Sequence, residues 1–342
     1  MRLQFLILII TCFVHSSFVF AQTPHVEILA SGNGISLRGL SVVNDNVVWV
    51  SGNKGTVGRT TNGGKTWKWI VVKGFEKTDF RDIEAFDAST AVIMGIESPA
   101  YILKTSDGGE SWKVVYENKA KGMFLDAMEF WNEQSGIIIG DPIEGRFFVT
   151  RTFDGGNSWQ DIPFDKRPAA DSGEACFAAS GTNIRALDKD EAVFVSGGTR
   201  SRLFTKNAPS PLPVIQGKET TGANSIAIWD KMKMKGGKKM IVVGGDFNAD
   251  TSFVKNCFYS NDGGLTWNSP LVPPHGYRSC VEYYSKTEAF SCGLTGVDRS
   301  IDGGKTWVWI SKESFHVCRA SKLGGAVYLA GGNGKVGRIV WK

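Results

Sequence analysis

One eight-residue phrase occurs five times in this chain, and it constrains the fold more than any other feature. It reads Thr60–Trp67, Thr105–Trp112, Thr152–Trp159, Ser260–Trp267 and Ser300–Trp307, on the template Ser/Thr-x-Asp/Asn-x-Gly-x-Ser/Thr-Trp. Each position has a mechanical task. The Asn62, Asp107, Asp154, Asp262 and Asp302 steps run into Gly-Gly pairs, which supply the positive φ angles of a tight hairpin. The carboxylate or amide oxygen and the flanking hydroxyls bond turn amides that no strand partner satisfies. Trp67, Trp112, Trp159, Trp267 and Trp307 then each bury a large ring, expected against the next sheet. The phrase is read as scaffold, not as chemistry.

A second signal is broader. Short apolar strands end in glycine at Gly52, Gly95, Gly140, Gly197, Gly244, Gly293 and Gly331, separated by 43, 45, 57, 47, 49 and 38 residues. That makes seven units for five phrases. Unit four keeps only a remnant, Thr205–Ser210, and unit seven ends at Trp341-Lys342 before a phrase can form. The missing outer strand of unit seven is supplied by His25–Ala30, which has no unit of its own. Closure of this kind removes the exposed edge that an open array would leave. The expectation is an all-β, seven-bladed β-propeller of four-stranded antiparallel blades, closed by the N-terminal strand. Much of the excess of 41 glycines, and five of the 11 tryptophans, follow from it.

Residues 1–21 read as a secretory signal, with Arg2, an apolar run and Val19-Phe20-Ala21 before Gln22. The expected domain is residues 22–342, exported to a periplasm or the exterior, with no membrane span in the mature chain, and monomeric. The formal charge of +5 is spread along the chain, which argues against a nucleic-acid partner. No cofactor motif is present: the Gly-Gly pairs sit in hairpins, not between a strand and a helix. Cys176, Cys257, Cys280, Cys292 and Cys318 lack zinc spacing, so no metal is expected. A hairpin around Ser285–Thr287 sets Cys280 across from Cys292, the pair put forward for a disulfide, with Cys318 as the rival partner.

In such a propeller the phrase hairpins and the turns between first and second strands share one face. The first strands begin at the other. Their starts carry Arg38, Phe80-Arg81-Asp82 with Glu84, Asp126 with Glu129, Glu174, Tyr277-Arg278 with Glu282, and His316. Three arginines, several carboxylates and a histidine are therefore expected at one mouth of the channel, joined from neighbouring loops by Glu97, Asp141, Glu144, Arg146, Arg200, Arg202 and Asp246. An arginine cluster in a concave mouth suits a carboxylate, a phosphate or an acidic protein tail. The plain alternative is a polar channel lining whose charges neutralise one another. The basic stretch Lys231–Lys239 falls on the hairpin face and reads as a solvated turn.

The repeated phrase resembles the Asp-box, or bacterial neuraminidase repeat. The whole mature chain resembles the Ycf48/Hcf136-like photosystem II assembly factor family, on its repeat length, five boxes, seven glycine-ended strands and arginine-bearing first strands. That resemblance implies a non-enzymatic scaffold for partner proteins, membrane-associated or bearing acidic segments, with an arginine patch as contact surface. The enzyme alternative is a sialidase-like glycoside hydrolase or a carbohydrate-binding propeller. Arg38, Arg81 and Arg278 would imitate the arginine triad of sialidases, with a tyrosine from Tyr277, Tyr283 or Tyr284 as nucleophile and Glu84 or Glu282 beside it. The Phe/Tyr-Arg-Ile-Pro signature of those enzymes is absent, since Phe80-Arg81 continues as Asp82-Ile83.

Overall fold

The structure is a computed structural model that describes residues 23–341 apart from 189, 232, 234 and 235. The signal segment read at 1–21 lies outside the described residues. Short β-branched and aromatic runs, cut by Gly-rich turns, form seven antiparallel sheets arranged as the blades of a propeller. The first strands, nearest the axis, are Leu37–Val42, Phe80–Ala85, Leu125–Phe130, Ile184–Ala186, Thr221–Trp229, Cys280–Tyr283 and Val317–Ala320. Blade seven is completed by Pro24–Ala30 pairing with Val336–Trp341, in a register that sets His25 opposite Val340 and Glu27 opposite Arg338. The closure expected from the sequence is therefore the observed one. Two single turns of 3-10 helix, Phe164–Lys166 and Gly332–Gly334, are present, and no helix among the described residues is long and apolar enough to cross a membrane.

Apolar side chains of neighbouring blades interlock to form the core. Trp49 and Val57 of blade one meet Ile83, Ile93 and Leu103 of blade two, for example. The five hairpins lock each outer strand in one repeated way. The first hydroxyl accepts the amide of the second glycine, as in Gly109 N–H to Thr105 Oγ1 at 3.0 Å and Gly304 N–H to Ser300 Oγ at 2.9 Å. The Asp or Asn oxygen accepts the amide four residues on, as in Thr66 N–H to Asn62 Oδ1 at 3.0 Å and Thr266 N–H to Asp262 Oδ1 at 2.9 Å. Both glycines of each pair have positive φ, near +71° and +85° at Gly63 and Gly64. The tryptophans pack against the preceding blade, not the following one. Trp112 meets Trp49 edge-on at 6.5 Å, and Trp307 lies among Ile241, Val243 and Cys257. The reason is positional: the hairpin lies at the outer rim, where it reaches back over the neighbour already traversed.

These bonds predict an acid response. Hydrogen bonds from Thr266 hold the Asp262 carboxyl down at about 2, and those from Ser111 hold Asp107 lower still. A carboxyl depressed in the folded state contributes stability that is present above its unfolded value near 3.9 and lost as pH falls through its folded value. The urea midpoint is expected to fall between about pH 4 and pH 2. An Asp107→Asn/Asp262→Asn variant should flatten that slope. An unchanged slope would remove the hairpin carboxylates from the account.

Blade four departs from the pattern. Its expected first strand at Gly173–Cys176 is only two residues long. Glu174-Ala175 pairs with Gly197-Gly198, and the strand resumes at Ile184–Ala186 opposite Ala192–Phe194. Between these pieces, residues 176–183 leave the sheet and enter the channel.

Candidate functional site

The excursion of blade four crosses the axis and is held by first strands around the ring. Arg38 Nη1 of blade one donates to Ala179 O at 3.1 Å, Arg81 Nη1 of blade two to Ala178 O at 3.5 Å, and Arg319 Nη2 of blade seven to Gly181 O at 3.0 Å. Ser180 Oγ donates to Ser279 O of blade six at 2.7 Å, and Thr182 O accepts from Ile226 N–H of blade five at 3.0 Å. Ala178 to Asn183 are buried. Gly181 has φ +63°, and a Cβ there would stand 2.3 Å from Asp82 Oδ2. A segment of small residues fits here because nothing larger clears the inner wall. The channel, whose lining the sequence led us to expect from the first strands alone, is thus plugged.

Above the plug, at the mouth where the first strands begin, lies a cavity of about 440 Å³. Phe124, Phe177, Phe247, Tyr277 and Leu294 form its apolar side, and Arg38, Arg81, Asp141, Asn224 and His316 its polar side. Tyr277 Oη donates to Asn224 Oδ1 at 2.8 Å, fixing the amide. Arg81 is paired with Asp79 at 2.8 Å. Arg38 has no ion pair within 4.0 Å among the described residues, so its charge faces the cavity with only a backbone carbonyl as partner. Burial and then the neighbouring Arg81 lower the Arg38 pKa, yet a guanidinium stays charged. Burial, Arg38 and Arg81 together push His316 down to about 3, so it is a neutral imidazole here. Burial lifts Asp141 to about 6 although it accepts the Cys176 amide at 2.9 Å.

The other sequence-predicted residues go elsewhere. Arg278 is fully buried and paired with Asp298, which also accepts from His275 Nδ1 at 2.6 Å. It holds second-layer structure of blade six and does not enter the mouth, so the arginine trio of the sialidase reading is not assembled. Glu174 is buried under Arg202 and Ser196. Asp82 and Asp126 lie inside the wall below the cavity. Burial raises Asp82 to about 8 against the Arg319 charge and the Met128 and Ile83 amides. Burial and Asp141 raise Asp126 well above the usual carboxylate range.

Glu84, Glu129 and Glu282 belong to the opposite mouth, because they stand at the far ends of the first strands. There Glu84 pairs with Lys322, and Arg185 lies 3.5 Å from Glu129 and 3.2 Å from Glu282. Lys231 reaches Glu129 at 2.5 Å, so this lysine of the basic hairpin closes an ion network and is not simply solvated. Burial opposes ionisation of Glu129, but Lys231, Arg185 and Arg319 overcome it and hold the carboxyl at about 2. Each of the three carboxylates there is met by at least one cation, whereas Arg38 at the first mouth has no ion pair among the described residues.

Cys280 and Cys292 stand directly opposite each other, in the register expected, but their sulfurs are not bonded and all five described cysteines are free thiols. The residues that sequence reasoning missed are those of the plug together with Phe177, Phe247 and Asn224. The one signal for the plug is the 57-residue spacing between Gly140 and Gly197, the longest of the series.

Known structures give the architecture a second reference. YCF48 bound to D1 peptide superposes with a TM-score of 0.64 at 16% identity, over 94% of this chain and 98% of that one. YCF48 from Cyanidioschyzon merolae gives 0.64 at 15%, over 92% and 98%. The fold is Ycf48-like. The WD40 β-propeller domain of Doa1 is also similar, with a TM-score of 0.59 at 12% identity over 94% of this chain and 97% of that domain. No protein-family model and no curated protein sequence matches the chain. At these identities the likeness concerns the Ycf48-like architecture and not the site residues, none of which is carried across.

Proposed function

We propose that this chain is a non-enzymatic, exported propeller that binds partner polypeptides through the plugged mouth and assists assembly of an envelope or membrane complex. The observation that carries the reading is Arg38, a half-buried cation without an ion pair among the described residues, in one cavity with Arg81 and with the contacting rings of Phe177, Phe247 and Tyr277. A buried charge calls for a hydrogen-bonded counter-charge. A cavity with one cationic and one apolar side suits an extended segment that places a carboxylate on Arg38 and an apolar side chain against Phe247 and Tyr277. Similarity to a peptide-bound propeller supports a polypeptide as the ligand class. The partner is membrane-associated or carries an acidic or free C-terminal segment, and one propeller copy suffices.

The test uses a labelled random heptapeptide pool ending in a phenylalanine carboxylate, followed by fluorescence anisotropy. Arg38→Ala is expected to weaken binding about 10- to 100-fold, since a hydrogen bond to a charged group is worth ~1.5–3 kcal/mol. The amidated pool should lose a similar factor. Equal binding of both pools would defeat the carboxylate reading. Cleavage of a fluorogenic sialoside that disappears in Arg81→Ala would replace the scaffold reading with the hydrolase. Pull-down from native envelopes with wild-type and Arg38→Ala/Arg81→Ala chains then tests the assembly role.

The same site predicts a pH dependence. Asp141 titrates near 6, while the arginines keep their charge and His316 stays neutral. Below that value the mouth loses a negative charge and a peptide carboxylate, with its own pKa near 3.5, keeps one. Affinity should therefore rise as pH falls from 7.5 to 5. In Asp141→Asn the affinity should be high and flat over that range.

A further inference from the structure

Beneath the plug, three cysteines from two blades meet. Cys280 lies on the first strand of blade six, Cys292 on the strand beside it, and Cys318 on the first strand of blade seven. Each is 0% exposed. Their three sulfurs lie within 4.8 Å of one another, with Cys280 Sγ and Cys318 Sγ 3.7 Å apart. A three-coordinate metal with metal–sulfur bonds of about 2.3 Å sets its sulfurs roughly 4 Å apart. The cluster has that size before any metal is considered.

Two hydrogen-bond donors are aimed at the sulfur of Cys280. The Cys318 amide points at Cys280 Sγ from 3.4 Å, and the Thr182 hydroxyl of the plug from 3.6 Å. Among the described residues no histidine or carboxylate oxygen belongs to the group, so it offers no fourth protein ligand of the kind zinc takes. Soft thiolates select thiophilic ions such as Cu(I). One Cu(I) with two thiolates and one thiol has a net charge of −1, which Arg319 can face.

We infer that Cys280, Cys292 and Cys318 form a trigonal binding site for a single monovalent thiophilic cation of the Cu(I) class. Binding forms two copper–thiolate bonds and one dative bond from the sulfur of the remaining thiol, and releases two thiol protons to solvent, with no change of oxidation state. Thr182 lies between the site and the channel, so the ion enters during folding or when the plug opens. The site is independent of the peptide-binding reading. Its ligands are 12 and 26 residues apart in sequence, which hides it from any short motif.

The test is to refold the full chain from urea without oxygen, with Cu(I) buffered by bicinchoninate, and to remove free metal by gel filtration. One copper per chain is expected by elemental analysis. Cys292→Ser and Cys318→Ser should retain at least tenfold less, at unchanged circular dichroism, while Cys176→Ser and Cys257→Ser retain one. Failure of the wild-type chain to hold copper, or equal retention by Cys292→Ser, overturns the assignment. So does an intact mass two hydrogens short, with peptide mapping that places a disulfide within the triad, in protein purified without reductant. Should the serine variants not fold, X-ray absorption of the copper-loaded wild type decides: sulfur-only scattering near 2.3 Å supports the site, and nitrogen or oxygen neighbours refute it.

Discussion

Arg278→Ala is expected to lower the unfolding free energy by about 3–5 kcal/mol, the usual consequence of stranding one partner of a buried ion pair. Both Arg278 and Asp298 have side chains at 0% exposure. Arg278 Nε also donates to Asp298 Oδ2 at 2.8 Å, and Nη1 to Thr295 Oγ1 at 2.7 Å and to Tyr277 O at 2.9 Å. Removing the guanidinium leaves Asp298 with His275 alone and strands two further acceptors. Urea titration should show a lower midpoint at constant slope, and Arg278→Met/Asp298→Leu should recover most of the loss. Arg38→Ala should differ in kind, losing less stability than Arg278→Ala, since only the hydrogen bond to the plug carbonyl of Ala179 goes, and showing a large loss of peptide binding. If Arg278→Ala instead folds with wild-type stability and loses binding, the arginine belongs to the mouth after all.

Gly181→Val should release the plug. A β-branched residue at φ +63° is strained, and its Cβ collides with a carboxyl group that is itself enclosed. Together these cost on the order of 3 kcal/mol. The local opening that exposes Cys280 should then become about 100-fold more frequent, because each 1.4 kcal/mol is a factor of ten. The measurement is maleimide labelling of the native protein, followed residue by residue by mass spectrometry. Cys280 should gain reactivity about 100-fold, whereas Cys257, away from the plug, should not. Equal labelling of wild type and variant would mean that Thr182 and its neighbours do not guard the cluster.

The parts of the fold that were legible in the sequence are those set by local chemistry. A Gly-Gly hairpin with an oxygen two residues from a hydroxyl closes in one way wherever it occurs, so five copies announced five blades. The glycine-ended second strands supplied the other two. The site was less legible because it depends on distance along a strand and on neighbours far away in sequence. Arg81 and Glu84 are three positions apart, or about 10 Å at 3.3 Å per residue, which is enough to send one toward each mouth. Arg278 looked like Arg81, since both follow an aromatic residue. Its fate was decided by Asp298, two strands away in the same blade. The plug defeats pattern reading for a different reason. Phe177-Ala-Ala-Ser-Gly-Thr-Asn183 has no alternation, and its carbonyls are met by arginine side chains and a backbone amide from blades that sequence adjacency does not reveal.

The clasp between Pro24–Ala30 and Val336–Trp341 also dictates when this molecule can become itself. Glu27 and Arg338, joined at 2.9 Å, are 311 positions apart. Six blades can assemble as they are synthesised, but the seventh must wait for both ends, and Phe315 and Tyr328 of its core remain uncovered until then. The ribosome makes the closing strand among the first described residues and its partner among the last. For that interval the chain is an incomplete circle with two adhesive rims, dependent on whatever keeps unfinished strands apart. Circular permutation that joined the two strands by a short loop would end that wait and should hasten folding without altering a single contact of the finished ring.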